Sequence, residues 1–194
     1  MTAVSTHQVA RRVLDLALAR PTTLGRGRLI CIDGPGGAGK TTLATAVSEL
    51  EADTRVVHMD DLYDGWTGLA HVDGQLATLL EPLAAGRTGH YRRYDWHARA
   101  YAETVEVEPT PLLVVEGVGS GDRATAHLAG VLVWVWVPAE LRLARGLARD
   151  GAEMTVQWAA WMASEDQHHH GQRTADRTDV VVDGTGVCAP RFTA

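Results

Sequence analysis

Eight residues in the stretch CIDGPGGAGKTTLA, which runs from Cys31 to Ala44, have the types that bind phosphate. They are Gly34, Gly36, Gly37, Ala38, Gly39, Lys40, Thr41 and Thr42. Small residues leave backbone N–H groups accessible to an anion, and a lysine ammonium neutralises phosphate charge. A threonine hydroxyl can also ligate Mg²⁺ beside those phosphates. The chemistry that this stretch could perform is therefore the binding of phosphate groups together with Mg²⁺.

The spacing of these residues matches the P-loop pattern, in which four residues separate Gly34 from the Gly-Lys-Thr triplet at 39–41. That pattern requires a strand before the loop and a helix after it. The sequence predicts both, with a buried strand over 28–33 and a helix over 40–50 that has apolar residues at helical spacing. A glycine-rich linker could match by chance, but these flanks disfavour that alternative.

Carboxylates follow two other apolar segments. Glu116 ends the run LLVV, and Asp60 and Asp61 follow RVVHM. Phosphoryl transfer needs a metal ion near the phosphates and a group that orients the attacking hydroxyl. We predict Thr41 and Glu116 as Mg²⁺ ligands, Asp60 as the catalytic base and Asp61 as part of the acceptor site. Glu116 could instead open an exposed loop, and the aspartates could cap a following helical turn.

Positive charge for the transition state is available in the segment PAELRLARGLARDG. Arg142, Arg145 and Arg149 are three and four residues apart, which places them along one helical face. We predict that Arg145 and Arg149 are catalytic. For Arg142, a solvated helix face is an equally good interpretation.

The elements that must position these residues alternate along the chain. Besides the strand and helix around the phosphate loop, the sequence predicts a strand that ends near Met59, a strand that ends at Glu116, a strand over 131–137 and a strand near Val180. Helices are predicted over 6–19, 73–85, 139–149 and 153–165. This alternation predicts an α/β fold, a doubly wound five-stranded parallel sheet flanked by helices. Ligands of such sheets bind beyond the carboxyl ends of the strands, so the strand-end carboxylates should meet there.

The chain has 194 residues, a net charge of −6 and two cysteines. We predict one domain over 1–194, with an N-terminal helix and connection over 1–27 and a lid-like helical region over 139–177. The charge disfavours nucleic acid or a membrane as a partner and favours a small-molecule acceptor. Two distant cysteines and a polar start without an apolar signal core predict a cytoplasmic location. The sequence leaves open whether the chain forms a homo-oligomer.

In their order along residues 29–184, several segments resemble the uridine kinase branch of the P-loop nucleoside and small-molecule kinases. GPGGAGKTT is similar to the family's phosphate loop, and VVEG and RLARGLARD resemble its third-strand end and its arginine-bearing lid helix. MDDLY stands where those kinases carry an Asp-Ser-Phe-Tyr segment whose Asp is the base. The resemblance implies an ATP- and Mg²⁺-dependent kinase, with Asp60 as the base and Tyr63 in the acceptor site.

Two more segments extend the resemblance to the acceptor. HVDG is similar to the family's His-Pro-Asp-Ala, whose Asp contacts the ribose, and this carries over to Asp73. YDWHAR resembles its Tyr-Asp-Phe segment with a base-recognising His beyond it, which implies acceptor roles for Tyr94 and His97. The chain departs from the family after Asp150, because no arginine occurs there until Arg173.

Aromatic and histidine residues offer further possibilities. Trp66 and Trp96 flank the predicted acceptor site and could stack on a base, although tryptophan is more often core or pocket wall. Trp134 and Trp136 share one face of a strand and are predicted to be core. Three adjacent histidines at 168–170 cannot all face one ion from a helix, so we predict an exposed connection there and not a metal site.

Together these features favour an ATP-dependent phosphotransferase that acts on a hydroxyl of a small molecule, with uridine or cytidine as the first candidates. One alternative is a kinase of the same branch for pantothenate, a sugar or a sugar phosphate. Another is an ATP-binding regulatory module. A guanine-specific switch is disfavoured because the chain has no Asn-Lys-x-Asp segment.

Overall fold

The computed structural model describes residues 4–193. Its strands are β1 (Arg28–Asp33), β2 (Thr54–His58), β3 (Gly89–Asp95), β4 (Ala100–Val107), β5 (Leu112–Glu116), β6 (Val131–Trp136), β7 (Val180–Asp183) and β8 (Arg191–Phe192). Its α-helices are α1 (Thr6–Ala19), α2 (Lys40–Leu50), α3 (Val72–Ala84), α4 (Ala139–Asp150) and α5 (Thr155–Gln172). Short 3₁₀ turns connect several of them.

The central sheet has the strand order β2, β5, β1, β6, β7, β8. The first five of these strands pair in parallel, as the alternation of strands and helices predicts. A short sixth strand, β8, adds an antiparallel edge that the sequence analysis did not predict. The parallel strands bring the ends of β1, β2 and β5 to one side of the sheet, where Asp33, Asp60 and Glu116 are found.

Both faces of the sheet are covered, which makes the fold doubly wound. Ile30 and Ile32 of β1 pack with α1 and α2, whereas Leu29 and Cys31 face the core formed with α3 and α5. Successive strand residues point to opposite faces, so a strand buried on both sides reads as a continuous apolar run. This arrangement fixes β1 rigidly behind the phosphate loop.

Local signals place the first helices well. Ser5 caps α1 through a capping box with Gln8, so the predicted start of that helix is confirmed. The helix predicted over 40–50 and the strand predicted over 28–33 have the bounds of α2 and β1. The helix predicted over 73–85 is shifted by one residue from α3 at both ends, and the helix predicted over 139–149 ends one residue before α4 does.

Strands β3 and β4 form a separate antiparallel hairpin that the sequence analysis did not predict. Tyr91 of β3 and Val107 of β4 are buried in the core shared with α3, while most of the neighbouring residues of both strands are exposed. The hairpin carries Tyr94 near one end of β3 and lies between α3 and β5 in the chain. The segment YDWHAR therefore forms the end of β3 and the turn that joins it to β4.

Helix α5 and strand β6 each correct one prediction. Helix α5 continues to Gln172 and includes the three histidines, so the exposed connection predicted there is wrong. His169 is mostly buried, because its ring packs on Trp134 with centroids 4.7 Å apart and faces Asp33. Trp136, predicted to be core, is instead 41% exposed at the end of β6.

No helix among residues 4–193 is both long and apolar enough to cross a membrane. The first three residues of the predicted polar N-terminal segment, and Ala194, lie outside the described residues.

Candidate active site

The phosphate loop joins the end of β1 to the start of α2. Gly34 has φ +133°, and a Cβ there would lie 2.0 Å from the Val135 carbonyl oxygen, so only glycine fits. Gly39, at φ +100°, precedes α2, whose N-terminus has no side-chain cap. The first N–H groups of this helix and its positive dipole end are thus free of a capping side chain. The loop therefore fits the phosphates of a nucleotide.

Lys40 lies inside this loop. The residue is only 7% exposed, and its Nζ donates to the Pro35 carbonyl oxygen at 2.8 Å. Burial lowers the pKa of the Lys40 ammonium, while the negative charges of Glu116, Asp33 and Glu165 oppose that shift. An anion entering the loop would favour the charged ammonium further.

Glu116 and Thr41 meet at the end of β5. The Thr41 hydroxyl donates to Glu116 Oε1 at 3.0 Å, which brings together the two side chains predicted to ligate Mg²⁺. Within residues 4–193 no group of three or more His, Cys, Asp or Glu side chains is arranged to hold a metal by itself. Mg²⁺ commonly takes one or two protein ligands together with water and substrate phosphates, and this pair suits that need.

His58 was missed by the sequence analysis. It lies beside Glu116 in the register of β2 and β5, and its Nδ1 is 2.6 Å from Glu116 Oε1. The hydrogen bond to Glu116 raises the pKa of His58. The strand-end pattern HMDD contained the residue, but only the register of neighbouring strands places it against the carboxylate.

Asp60 and Asp61 occupy a short 3₁₀ turn directly after β2. Asp60 as a whole residue is exposed, but the surrounding protein removes part of the water around its carboxyl, and this desolvation raises the pKa of that carboxyl. The positive charge of Lys40 acts in the opposite direction but does not cancel the shift. Burial also raises the pKa of Asp61. The Trp96 indole N–H donates to the Asp60 carbonyl oxygen at 2.9 Å, which joins the turn to the hairpin. Asp60 thus stands at the cleft between the phosphate loop and the hairpin.

Helices α4 and α5 pack directly on the phosphate loop. Glu165 is fully buried; its Oε2 accepts a hydrogen bond from the Gly36 N–H at 2.7 Å, and its Oε1 accepts one from the buried Arg142. Burial raises the pKa of Glu165, against the effect of the Gly36 N–H and Arg142. Of the three arginines of α4, Arg142 is therefore the buried one, and its interpretation as part of a solvated face is wrong.

The other two arginines lie at the surface of the same region. Arg145 donates to the carbonyl oxygens of Gly37 and Gly184, at 3.2 and 3.3 Å. Arg149 forms two hydrogen bonds with Asp150, at 2.6 and 2.9 Å, and its charge acts on Asp60. Arg145 is thus attached to the loop, while Arg149 is held by its neighbour at the edge of the cleft.

The residues predicted to bind the acceptor do not all meet. Tyr63 is fully buried and its hydroxyl donates to the Val118 carbonyl oxygen at 2.6 Å, so it lies in the core and not as an acceptor ligand. Tyr94 and the exposed His97 lie on the hairpin and its turn. Asp73 is exposed in the first turn of α3, and no hydrogen bond among residues 4–193 joins it to either of them.

An aromatic cluster connects the hairpin with α5. Trp66 is its centre, with its ring centroid 5.6 Å from Trp96, 6.3 Å from Trp158 and 6.0 Å from Trp161. Tyr94 packs edge-on against Trp96 at 5.4 Å. Most of these rings are buried or half-buried, and Trp96, which is 36% exposed, is the most accessible ring of the cluster.

Asp33 links the loops around the site. This fully buried carboxylate accepts hydrogen bonds from the N–H groups of Gly34, Gly119 and Gly121, at 2.6 to 2.9 Å, and its Oδ1 is 3.2 Å from His169 Nε2. Burial would raise the pKa of Asp33, but His169 and these N–H groups outweigh it and the pKa is lowered. Asp33 therefore ties the phosphate loop to the segment that follows Glu116.

Replacing Asp33 by Asn is expected to destabilise the fold by about 3 kcal/mol at pH 7, because an amide nitrogen would face N–H donors. A lowered pKa stabilises the fold above the ordinary Asp pKa, and that stability is lost as the pH falls through the folded value. The difference in unfolding free energy between Asp33→Asn and the native chain should therefore narrow below about pH 4 in urea titrations. Asp176→Asn, which removes a surface carboxylate 2.9 Å from Arg173, should cost less than about 1 kcal/mol.

A comparison with known families decides the relationship of this chain. Residues 69–187, more than half of its length, match the model of the phosphoribulokinase/uridine kinase family. The chain belongs to this family. It is accordingly an ATP-dependent kinase of the uridine kinase type, whose substrate is a small molecule.

Known proteins of the phosphoribulokinase/uridine kinase family agree with this assignment. The uridine kinase of Borrelia hermsii is 27% identical over 138 residues, which cover 63% of this chain and 67% of that protein. A structure from Bacillus stearothermophilus, described provisionally as a uridine kinase, has a TM-score of 0.63 at 22% identity and covers 90% of this chain and 97% of its own. One from Silicibacter sp. TM1040, described provisionally as a fructose transport system kinase, has a TM-score of 0.67 at 17% identity, with coverages of 87% and 95%. The two structures share the fold.

Proposed function

We propose that this chain transfers the γ-phosphoryl group of MgATP to a hydroxyl of a nucleoside, with uridine and cytidine as the first acceptors. The observation that carries the proposal is the convergence of three strand ends on one loop: Lys40 after β1, Asp60 after β2 and Glu116 after β5. Phosphoryl transfer is catalysed mainly by positioning and by electrostatic stabilisation, and these residues can supply both.

Each residue has a role that its place supports. The N–H groups at the start of α2 and the Lys40 ammonium bind the β- and γ-phosphates. Asp60 orients the acceptor hydroxyl and takes its proton, and its raised pKa makes it a better proton acceptor. Arg145 and Arg149 on α4 add positive charge at the rim of the cleft.

Mg²⁺ would be held by the Thr41 hydroxyl and Glu116, directly or through water, together with the phosphates. When bound, the ion neutralises charge that develops on the phosphate oxygens. The present hydrogen bond between Thr41 and Glu116 keeps both side chains at the mouth of the loop, where such an ion is needed.

The nucleoside acceptor is supported by the matched family and by the uridine kinase from Borrelia hermsii. A second candidate is a sugar or another non-nucleoside hydroxyl compound, because the solved structure with the higher of the two TM-scores is described as a fructose transport system kinase. The two free cysteines, Cys31 and Cys188, support a reducing, cytoplasmic location for the reaction.

The direct test is to measure ADP formation from MgATP with a panel of nucleosides, sugars, sugar phosphates and pantothenate. We expect ADP formation to depend on an added acceptor, to be highest with uridine or cytidine, and to stop with EDTA. Acceptor-independent consumption of ATP, or none with any compound, would contradict the kinase proposal. A response to sugars alone would replace the nucleoside by the second candidate.

The nucleoside acceptor can also be tested at Asp73. If its carboxylate accepts hydrogen bonds from the ribose, Asp73→Ala should raise the KM for uridine about 10-fold or more while the Kd for ATP changes little. Uridine and 2′-deoxyuridine are compared in both proteins, and the deoxy compound should be the poorer substrate of the native chain only. Glu81→Ala, on the exposed side of the same helix, is the matched control. Equal use of both nucleosides by the native chain would contradict this role.

A further inference from the structure

A carboxylate of helix α5 occupies a hydrogen-bond donor of the phosphate loop. Glu165 accepts from the Gly36 N–H at 2.7 Å, within a loop that is otherwise suited to phosphate. Carboxylate and phosphate oxygens are both anionic acceptors that bind such N–H groups through charge-assisted hydrogen bonds. The Lys40 charge also acts favourably on Glu165. Glu165 thus lies where an anion is stabilised by the same groups that would bind the nucleotide.

Arg142, the partner of Glu165, has donors that it does not use. The Arg142 Nη1 donates a hydrogen bond to Glu165, while the Nη2 is 4.0 Å from a carboxylate oxygen of the exposed Asp166. Its Nε is buried without a hydrogen-bond partner among the described residues. A guanidinium carries five N–H donors, and leaving one buried and unpaired is costly. Arg142 therefore has the capacity to bind a further anion.

Both residues are held against the loop by close packing. A Cβ at Gly37 would lie 2.8 Å from the Arg142 carbonyl oxygen, and one at Gly36 would lie 3.1 Å from the Trp158 ring and 3.3 Å from Glu165 Oε2. The absence of side chains at these glycines lets α4 and α5 approach the loop backbone. A triphosphate that enters the loop must consequently act on the same two helices.

We propose that Glu165 is an internal substitute for a phosphate of the nucleotide, and that Arg142 transfers from Glu165 to the triphosphate when the nucleotide binds. The inference rests on the proposed use of MgATP at this loop. Two anions next to one N–H repel each other, so the triphosphate displaces the Glu165 carboxylate and leaves Arg142 to pair with phosphate oxygens. Glu165 then lowers the affinity for the nucleotide, and Arg142 raises it.

The test measures the Kd of the Mg²⁺ complex of AMP-PNP, a non-hydrolysable ATP analogue, by calorimetry without any acceptor. Glu165→Gln keeps the shape and an acceptor oxygen for the Gly36 N–H but removes the negative charge. We expect it to bind about 10-fold more tightly than the native chain, because a nearby like charge is gone. Arg142→Gln should bind about 10-fold more weakly. A purely structural role would weaken binding in both variants.

The matched control is Asp166→Asn. Asp166 also lies near Arg142, at 4.0 Å, but it is exposed and has no hydrogen bond to the loop, so its Kd should change less than about 2-fold. Urea unfolding of each variant checks that the fold is intact. If Arg142→Gln does not fold because Glu165 is left unpaired, the double variant R142Q/E165Q takes its place. It should bind more weakly than Glu165→Gln, and equal binding would contradict the role of Arg142.

The native chain supplies an independent measurement. Trp158 packs on Gly36, so displacement of Glu165 should change its fluorescence when Mg-AMP-PNP binds, taken as the difference between the native chain and Trp158→Phe. No change in that emission, or a folded Glu165→Gln that binds no more tightly than the native chain, would overturn this inference alone. If neither protein binds Mg-AMP-PNP, the proposed kinase function fails with it.

Discussion

Lys40→Ala is expected to lower acceptor-dependent turnover by about 10³-fold or more while the chain stays folded. The ammonium is the only positive charge within the loop itself, and a preorganised charge on the transferred group commonly contributes this much. Its present hydrogen bond, to the Pro35 carbonyl oxygen, lies within the loop and not in the core, so its loss should cost little stability. The rate of ADP formation with saturating MgATP and uridine, alongside urea unfolding, checks both parts.

The composition of the chain offers a sharper version of this experiment. Lys40 is the only lysine in the sequence, so an amine-specific reagent can modify it and, besides it, only the α-amino group. Modification should abolish turnover, MgATP should protect against it, and peptide mapping should find the label on Lys40. Lys40→Met, which keeps the aliphatic stem, serves as the control for lost packing. A Lys40→Met protein with native turnover, or MgATP that gives no protection, would refute the assignment of the phosphate loop.

Local patterns predicted those parts of the fold that depend on a single segment. The strand β1, the glycine-rich turn and α2 follow one another within 28–50, and each leaves its own signal of burial, backbone freedom or helical spacing. The hairpin was missed although its signal was present. Tyr101, Val105 and Val107 alternate with polar residues as a half-buried strand should, but the neighbouring segment YDWHAR was interpreted only for its acceptor-binding residues.

The contacts that shape the site join residues far apart in the chain. Arg142 and Glu165 are 23 residues apart, and His58 and Glu116 are 58 apart. A pattern of three arginines on one helix face gives no information on which of them meets a buried carboxylate from another helix. In the same way, α5 continues through a polar run because Glu165 and His169 find partners at the phosphate loop and Asp33. Tertiary contacts outweigh the weak local preference there.

Asp60→Asn is expected to lower kcat by about 10² to 10⁴-fold, with the Kd for ATP nearly unchanged. Asn keeps the size and much of the hydrogen bonding of Asp but cannot take the proton of the acceptor hydroxyl, and general bases contribute rate factors of about this order. The raised pKa of Asp60 sharpens the expectation, since the native kcat should fall as the pH drops through that pKa and the carboxylate becomes protonated. The Asn variant should not show this fall.

The neighbouring aspartate is the natural control for this assignment. Asp61 lies in the same 3₁₀ turn and its pKa is also raised, so Asp61→Asn makes the same chemical change one residue away. The kcat of Asp61→Asn should fall much less than that of Asp60→Asn. The reason is that the hydrogen bond from Trp96 fixes the backbone at Asp60 and thereby holds the Asp60 side chain at the cleft. If Asp61→Asn is the inactive variant and Asp60→Asn is nearly normal, the two roles are exchanged. If both variants keep acceptor-dependent turnover, neither residue is the base, and the phosphate loop alone remains of the mechanism.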